Sequence, residues 1–286
     1  MTPKLELAAI TDEFSPDLQT ALDAMSGIGM TGVELRVLWG KNIIDLSDGE
    51  IKRAMELINA RGMHVLSIAS PLLKCVLPGG PDVDARWQQD VFASKHTFED
   101  QPRLADRAFR ICQLTGAKII RVFSYWRTVE PLKTFDAVLK ALNELGDKAK
   151  TAEVTIGLEN EHACNVATGS ESSYILQHCQ HPNVKLVWDP ANAMVAGENP
   201  FPHGYSLLPK DRIGHVHAKD CHMDGLKPVW GPLGTRHVDW HGQIRALLVD
   251  GYHGAVSLET HWAGPDNNKL QGSVICGWNL RGLLAA

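Results

Sequence analysis

The chain lacks several features that would assign it to a class at once. Its six cysteines, Cys75, Cys112, Cys164, Cys179, Cys221 and Cys276, are scattered and form no CxxC pair, which excludes a thiolate zinc site and a dithiol redox motif. Reduced thiols of this kind suit a cytoplasmic protein. There is no run of Lys and Arg, and the formal net charge is -5. A general binder of nucleic acid needs a concentrated basic face to displace counterions from phosphate, so that class of partner is not expected. No uninterrupted apolar stretch reaches membrane length, and the segment Met1 to Ile10, with Lys4 and Glu6, has no apolar secretion core, so no membrane partner is expected either. A glycine-rich phosphate cradle is also absent, which favours a substrate without a phosphate group.

What is present is an ordinary globular composition, 286 residues with 44% hydrophobic and 21% charged, enough apolar mass for a large core. Short β-branched runs alternate with segments of helical period. The expected strands are Leu5 to Ile10, Gly32 to Val37, His64 to Ala69, Lys118 to Phe123, Val154 to Glu159, Val184 to Asp189, Ile213 to Ala218 and Ala255 to Glu259. The expected helices are Ser15 to Ile28, Ser47 to Arg61, Arg103 to Leu114, Pro131 to Ala152, Glu171 to Cys179 and Trp240 to Val249. Ser15 before Pro16 reads as a cap and first helical residue, and Ser47 with Glu50 as a capping box. Gly27/Gly29, Gly62, Gly116 and Gly251 fall where a helix must stop before the next strand. Strict βα alternation implies parallel strands, and the pattern suits one α/β domain over residues 1–286, a single (β/α)8 TIM barrel. Two stretches break the rhythm. Residues 70–101 are too long for a simple loop and read as a lid, and Ala191 to Asp211 is rich in Pro and Gly, with room for a short helix.

In such a barrel the chemistry collects at the C-terminal ends of the strands. There the fifth strand delivers Glu159, the sixth Asp189, the seventh His215 and His217, and the eighth Glu259. His215 and His217 alternate with Ile213 and Val216 and share one face of their strand; a hydrogen-bonded core pair is as good a reading of them as a ligand pair. Three carboxylates at one level would drive each other's pKa values up unless a cation joined them. Glu159, Asp189, His217 and Glu259 are therefore the expected ligands of one divalent ion. Oxygen-rich ligands favour Mn²⁺, with Mg²⁺, Co²⁺, Zn²⁺ or Fe²⁺ also compatible.

These same runs, Leu158-Glu159-Asn160, Trp188-Asp189-Pro190-Ala191-Asn192, His215-Val216-His217-Ala218-Lys219-Asp220 and Ser257-Leu258-Glu259, resemble the strand-end motifs of the xylose isomerase-like TIM-barrel superfamily, which includes sugar isomerases and epimerases and the AP endonuclease family 2 fold. The resemblance extends to Ile10-Thr11-Asp12-Glu13 and Gly32-Val33-Glu34-Leu35-Arg36. It implies an ion held by Glu159, Asp189, His217 and Glu259, with the two glutamates exchanging a substrate proton through a metal-stabilised enediolate. Departures accompany it. Where the ketose epimerases of the group carry a histidine, a glutamate and an arginine, this chain has Asn192, Asn165 and Met223. The histidines that the endonuclease IV branch needs are missing from Ala69-Ser70-Pro71 and Phe123-Ser124-Tyr125.

The expected activity is isomerisation or epimerisation of a small sugar or polyhydroxy carbonyl compound. A metal-dependent lyase or dehydratase acting on a hydroxy-keto acid and a non-catalytic sugar-binding barrel are the alternatives; a homo-oligomer is left open. Lys219 and His162 are expected to assist Glu159 and Glu259 in proton transfer. Glu34, Arg121, Trp126, Asn192 and His261 are the expected substrate contacts, although Glu34 with Arg36 reads equally as an internal ion pair. His215, His237 and the tryptophans Trp39, Trp230 and Trp262 are candidates for supporting roles around the mouth.

Overall fold

The computed structural model describes residues 5–87, 95–179 and 181–286. Eight strands form a closed barrel: β1 (Glu6–Ile10), β2 (Gly32–Leu35), β3 (His64–Ile68), β4 (Ile119–Val122), β5 (Thr155–Glu159), β6 (Val184–Trp188), β7 (Ile213–Ala218) and β8 (Ala255–Leu258). Each is parallel to its neighbours in chain order, and β8 closes on β1 through Glu6 opposite Ala255 and Ala9 opposite Leu258. Every expected strand is there, some trimmed by a residue or two at their ends.

Between the strands run α1 (Leu18–Ile28), α2 (Asp48–Asn59), α3 (Gln101–Thr115), α4 (Phe135–Ala152), α5 (Gly169–His178), the short α6 (Pro190–Val195) and α7 (Trp240–Val249); α8 (Lys269–Ala285) follows the last strand. Their buried faces pack on the outside of the strands. Ser47 and Glu50 form the expected capping box, and Thr168 with Glu171 forms a second. The start of α1 differs from expectation. Asp17, not Ser15, is its cap, because the Asp17 carboxylate accepts from the Thr20 amide at 2.9 Å, while the Ser15 hydroxyl accepts from the Asp17 amide at 3.1 Å and shapes the turn before it.

Three elements had no clear sequence signal. Val37–Leu38 and Lys41–Asn42 pair as a small hairpin beyond β2, and Cys221–Asp224 with Lys227–Trp230 forms a second hairpin just past β7. Helix α8 contains Gly272, Gly277 and Gly282 and no clean polar face, so its period is hidden in the sequence. It packs on α1, with Gly277 over Ile28 and the Arg281 guanidinium donating to the Ile28 carbonyl at 2.6 Å.

The 70–101 stretch is tied down where it is described. The amides of Phe123, Tyr125 and Trp126 donate to the carbonyls of Leu72, Leu73 and Cys75, and the Asp84 amide donates to the Arg127 carbonyl at 2.8 Å. Its residues 88–94 lie outside the described residues. All six cysteines are buried and unbridged. Among the described residues no helix is long and apolar enough to cross a membrane.

Candidate metal centre

The closed register brings the ends of β5 to β8 to one level, and with them the four expected ligands. Atoms of Glu159, Asp189, His217 and Glu259 all lie within 4.8 Å of one another, and none of the four residues is more than 4% exposed. Asp189 doubles as the cap of α6, its Oδ1 accepting from the Asn192 amide at 2.9 Å. That bond leaves the other oxygen, Oδ2, to face the remaining ligands. His217 Nδ1 is 3.0 Å from Glu159 Oε1 and 3.6 Å from Glu259 Oε2.

Three basic side chains are threaded among these acids. Lys219 Nζ sits 2.7 Å from Glu259 Oε2 and 2.9 Å from Asp189 Oδ2. Arg121 lies 3.2 Å from Glu159 Oε2 and also donates to the Ala69 carbonyl at 3.1 Å. Arg36 reaches Glu259 at 3.0 Å, Asp12 at 2.8 Å and Glu13 at 2.5 Å. The internal Glu34–Arg36 pair read as an alternative from sequence is therefore not formed: the Arg36 side chain turns toward Asp12 and Glu13 after β1, and Glu34 turns to histidine.

The electrostatics follow from burial set against these partners. Burial pushes the Asp189 carboxyl up, to about 6, with Glu259 and Glu159 adding to the shift and Lys219 opposing it. Glu259 is equally buried, yet the Lys219 ammonium and the His261 and His217 imidazoles overcome burial and hold it well below the usual carboxylate range. Burial works against the Lys219 ammonium too, but Asp189 and Glu259 keep it well above its ordinary value. The His217 imidazole is raised by Glu159 and Glu34 against the same penalty.

Does this set of donors suit a divalent ion? Two buried oxygens, Glu159 Oε2 and Asp189 Oδ2, have no hydrogen bond; what they face is the Arg121 and Lys219 cations. Three buried carboxylates beside one imidazole, two of their oxygens holding no hydrogen bond, make an oxygen-rich donor set of the kind that suits a divalent ion. Bonds of about 2.0–2.2 Å place two ligands of one ion no more than ~4.4 Å apart, and His217 Nδ1 stands 3.0 Å from Glu159 Oε1 and 3.6 Å from Glu259 Oε2, inside that span. The donors fit.

The remaining candidates are distributed around this centre. Asn192 hydrogen-bonds Glu159 and Glu161, each at 3.4 Å, and its Oδ1 lies 3.0 Å from His162 Nδ1. His162 is thus one residue removed from the ligands, paired with Glu161 at 2.9 Å and edge-on to Trp87. Glu161 had not been singled out from the sequence, and its only signal is its place two residues beyond Glu159. His261 lies 3.9 Å from Glu259 and packs on Trp230. His237 lies against His222.

Two other expected substrate contacts are deeply buried. Glu34 has no exposure and lies beneath the ligands, against His215 and His217. Trp126 is 8% exposed and packs with Phe123, Ala163 and Cys164. Trp39 stacks under Arg53 of α2. An open cavity lined by Lys185, Lys210, Asp250 and His253 lies at the other end of the barrel and has no part in the centre.

Comparison with known proteins bears on the fold. No curated protein sequence matches the chain. Solved structures of similar shape include a D-psicose 3-epimerase with D-tagatose from Clostridium cellulolyticum H10, 14% identical over 98% of this chain and 99% of that one, with a TM-score of 0.73. The IolI protein with a bound zinc atom is 17% identical over 98% of each chain, with a TM-score of 0.75. A xylose isomerase-like TIM-barrel protein from Mycobacterium smegmatis in complex with magnesium is 18% identical over 98% of this chain and 96% of that one, with a TM-score of 0.71. The family described as xylose isomerase-like TIM barrel matches residues 22–274. Since that match runs from the first barrel helix into the last, the chain belongs to the xylose isomerase-like TIM-barrel family.

Proposed function

We propose that the chain is a divalent-metal-dependent isomerase or epimerase of a small, unphosphorylated polyhydroxy carbonyl compound. The observation that carries this reading is the convergence of Glu159, Asp189, His217 and Glu259 within 4.8 Å at the mouth of the barrel. Those four residues would hold the ion. When bound, such an ion polarises a substrate carbonyl and makes the adjacent C–H acidic.

The chain's own residues supply the rest. Glu259, kept deprotonated by Lys219 at 2.7 Å and Arg36 at 3.0 Å, is a carboxylate ready to accept a proton from carbon. Glu159 is the second carboxylate of the pair. The Lys219 ammonium, a strong donor held in place by two acids, is positioned to donate a hydrogen bond to a substrate oxygen. His162, backed by Glu161, offers a further proton carrier beside Glu159. Burial of the whole set would keep water away from the reacting carbon. Similarity in shape to an epimerase bound to D-tagatose and to magnesium- and zinc-bound proteins supports the reading. The lack of any basic run in the sequence speaks against nucleic acid as the substrate.

The test is solvent deuterium incorporation into a panel of free ketoses, including D-tagatose and D-fructose, with protein stripped by EDTA and reloaded with Mn²⁺. Exchange at the carbon beside the carbonyl without loss of water is the expected result. Loss of water from a hydroxy-keto acid in the same assay would replace isomerase with lyase. On the ketose that exchanges, Glu259→Gln is expected to lower the rate by about 10²–10⁴-fold, and an unchanged rate would remove Glu259 from the acid–base pair.

A further inference from the structure

A second buried cluster lies directly beneath the proposed ligands: Glu34 on β2 with His215 and His217 on β7. All three are as buried as the ligands themselves, 0% exposed for Glu34, 1% for His215 and 0% for His217. Both carboxylate oxygens of Glu34 face the His217 ring, with Oε1, 3.3 Å from His217 Nε2, shared with His215. Oε1 is 2.8 Å from His215 Nε2, and Oε2 is 3.4 Å from His217 Nε2. The other ring nitrogen of His217, Nδ1, faces Glu159 Oε1 at 3.0 Å. The ring planes of the two histidines stand 84° apart, so the carboxylate bridges two imidazoles that do not stack on each other.

We propose that Glu34 is a positioning residue for His217: it accepts the Nε2 proton, so that Nδ1 is the nitrogen presented to the ion, and His215 anchors Glu34 in turn. The inference rests on the metal reading above and deepens it. A neutral imidazole carries one N–H and one lone pair, and coordination needs the lone pair. A carboxylate at Nε2 settles which nitrogen keeps the proton, holds the ring plane and raises the basicity of the coordinating atom.

The same trio could be read instead as a second ion site, since two histidines and a carboxylate form a common coordination set. The structure favours hydrogen bonding. Each Glu34 oxygen already lies within 3.4 Å of an imidazole nitrogen. The surrounding interior is also polar where a barrel of this type is usually aliphatic. Ser67, paired in register with Glu34, and Ser257, paired with His217, both carry buried hydroxyls with no hydrogen-bond partner. A charged carboxylate in this layer persists because histidine N–H groups satisfy it.

The experiment is calorimetric titration of EDTA-stripped protein with Co²⁺ and with Zn²⁺, for wild type, Glu34→Gln and His215→Gln. Wild type is expected to take one ion per chain. Glu34→Gln is expected to bind one ion about 10- to 100-fold more weakly, with a shifted Co²⁺ visible spectrum. His215→Gln is expected to move both readouts the same way by less. In Zn²⁺-loaded, ¹⁵N-labelled protein, His217 is expected to show a protonated Nε2 whose signal moves in Glu34→Gln, a change that a loss of packing alone would not produce. Two ions per chain in wild type, falling to one in Glu34→Gln, would overturn the proposal in favour of a second site. Glu34→Gln affinity within twofold of wild type, or a His217 protonated on Nδ1, would overturn it as well. If Glu34→Gln does not fold, His215→Gln takes its place, and unchanged affinity with an unchanged His217 signal in that variant would overturn the proposal. Wild type that takes up neither ion sinks the metal reading itself, and this inference with it.

Discussion

Lys219 shows how far single residues are committed to one another. Its ammonium is buried between Asp189 and Glu259, and both acids are themselves shut off from water. Lys219→Met keeps much of the length of the side chain but leaves two buried carboxylates without that partner. Breaking a buried pair from one side costs about 3–5 kcal/mol, so the EDTA-treated variant is expected to melt well below wild type, and added Mn²⁺ is expected to recover part of the loss. Equal melting temperatures in EDTA would show that the lysine does not neutralise these acids. The sequence made the four converging groups legible because each ends a strand whose apolar run is unmistakable. It did not show that Glu34 turns down to His215 and His217, or that Arg36 turns up to Asp12, Glu13 and Glu259. The two residues are two apart in the chain and share a parity, and only partners from other strands, β7 for Glu34 and the ends of β1 and β8 for Arg36, decide where each side chain goes.

Elements were easier to read where they carry local signals. Helix α2 starts at Ser47 with the capping box complete, and Glu50 also binds Lys41 at 2.7 Å. The Lys41 ammonium, with the Ser47 amide and hydroxyl, holds the Glu50 carboxyl down at about 2, below its ordinary 4.5. A carboxyl that titrates lower in the folded chain than in the unfolded one stabilises the fold above the unfolded value, and that support is lost as pH falls through the folded one. Glu50→Gln is therefore expected to lower the melting temperature at pH 6, and the gap to wild type is expected to close as the pH approaches 2. A gap that stays constant over that range would mean the charge is irrelevant to the cap. Elements without such signals were missed. The hairpin Cys221–Trp230 follows a strand end already rich in polar groups, and α8 is interrupted by glycines that let it lie close to α1. Its helical form depends on tertiary contact more than on any local pattern.

At the scale of the whole molecule, an ion that binds the folded barrel and not the unfolded chain must stabilise it. At a free Mn²⁺ concentration of 100 times Kd the gain is about 2.7 kcal/mol, a rise of several degrees in the melting temperature for a chain of this size. Differential scanning calorimetry with Mn²⁺ against EDTA measures it, and coincident transitions would argue that no ion binds. The βα alternation made the barrel itself legible, because eight buried parallel strands separated by helices leave few other ways to close. Within that barrel the four proposed ligands all come from β5 to β8, whereas Arg36 and Arg121, which pair with Glu259 and Glu159, and Glu34, which faces His217, come from the first four βα units. The carboxy-terminal half carries the reactive groups and the amino-terminal half much of their counter-charge. Recombining this half-barrel with that of a distant relative would therefore carry Lys219 along with the acids but leave Glu159 without Arg121 and Glu259 without Arg36.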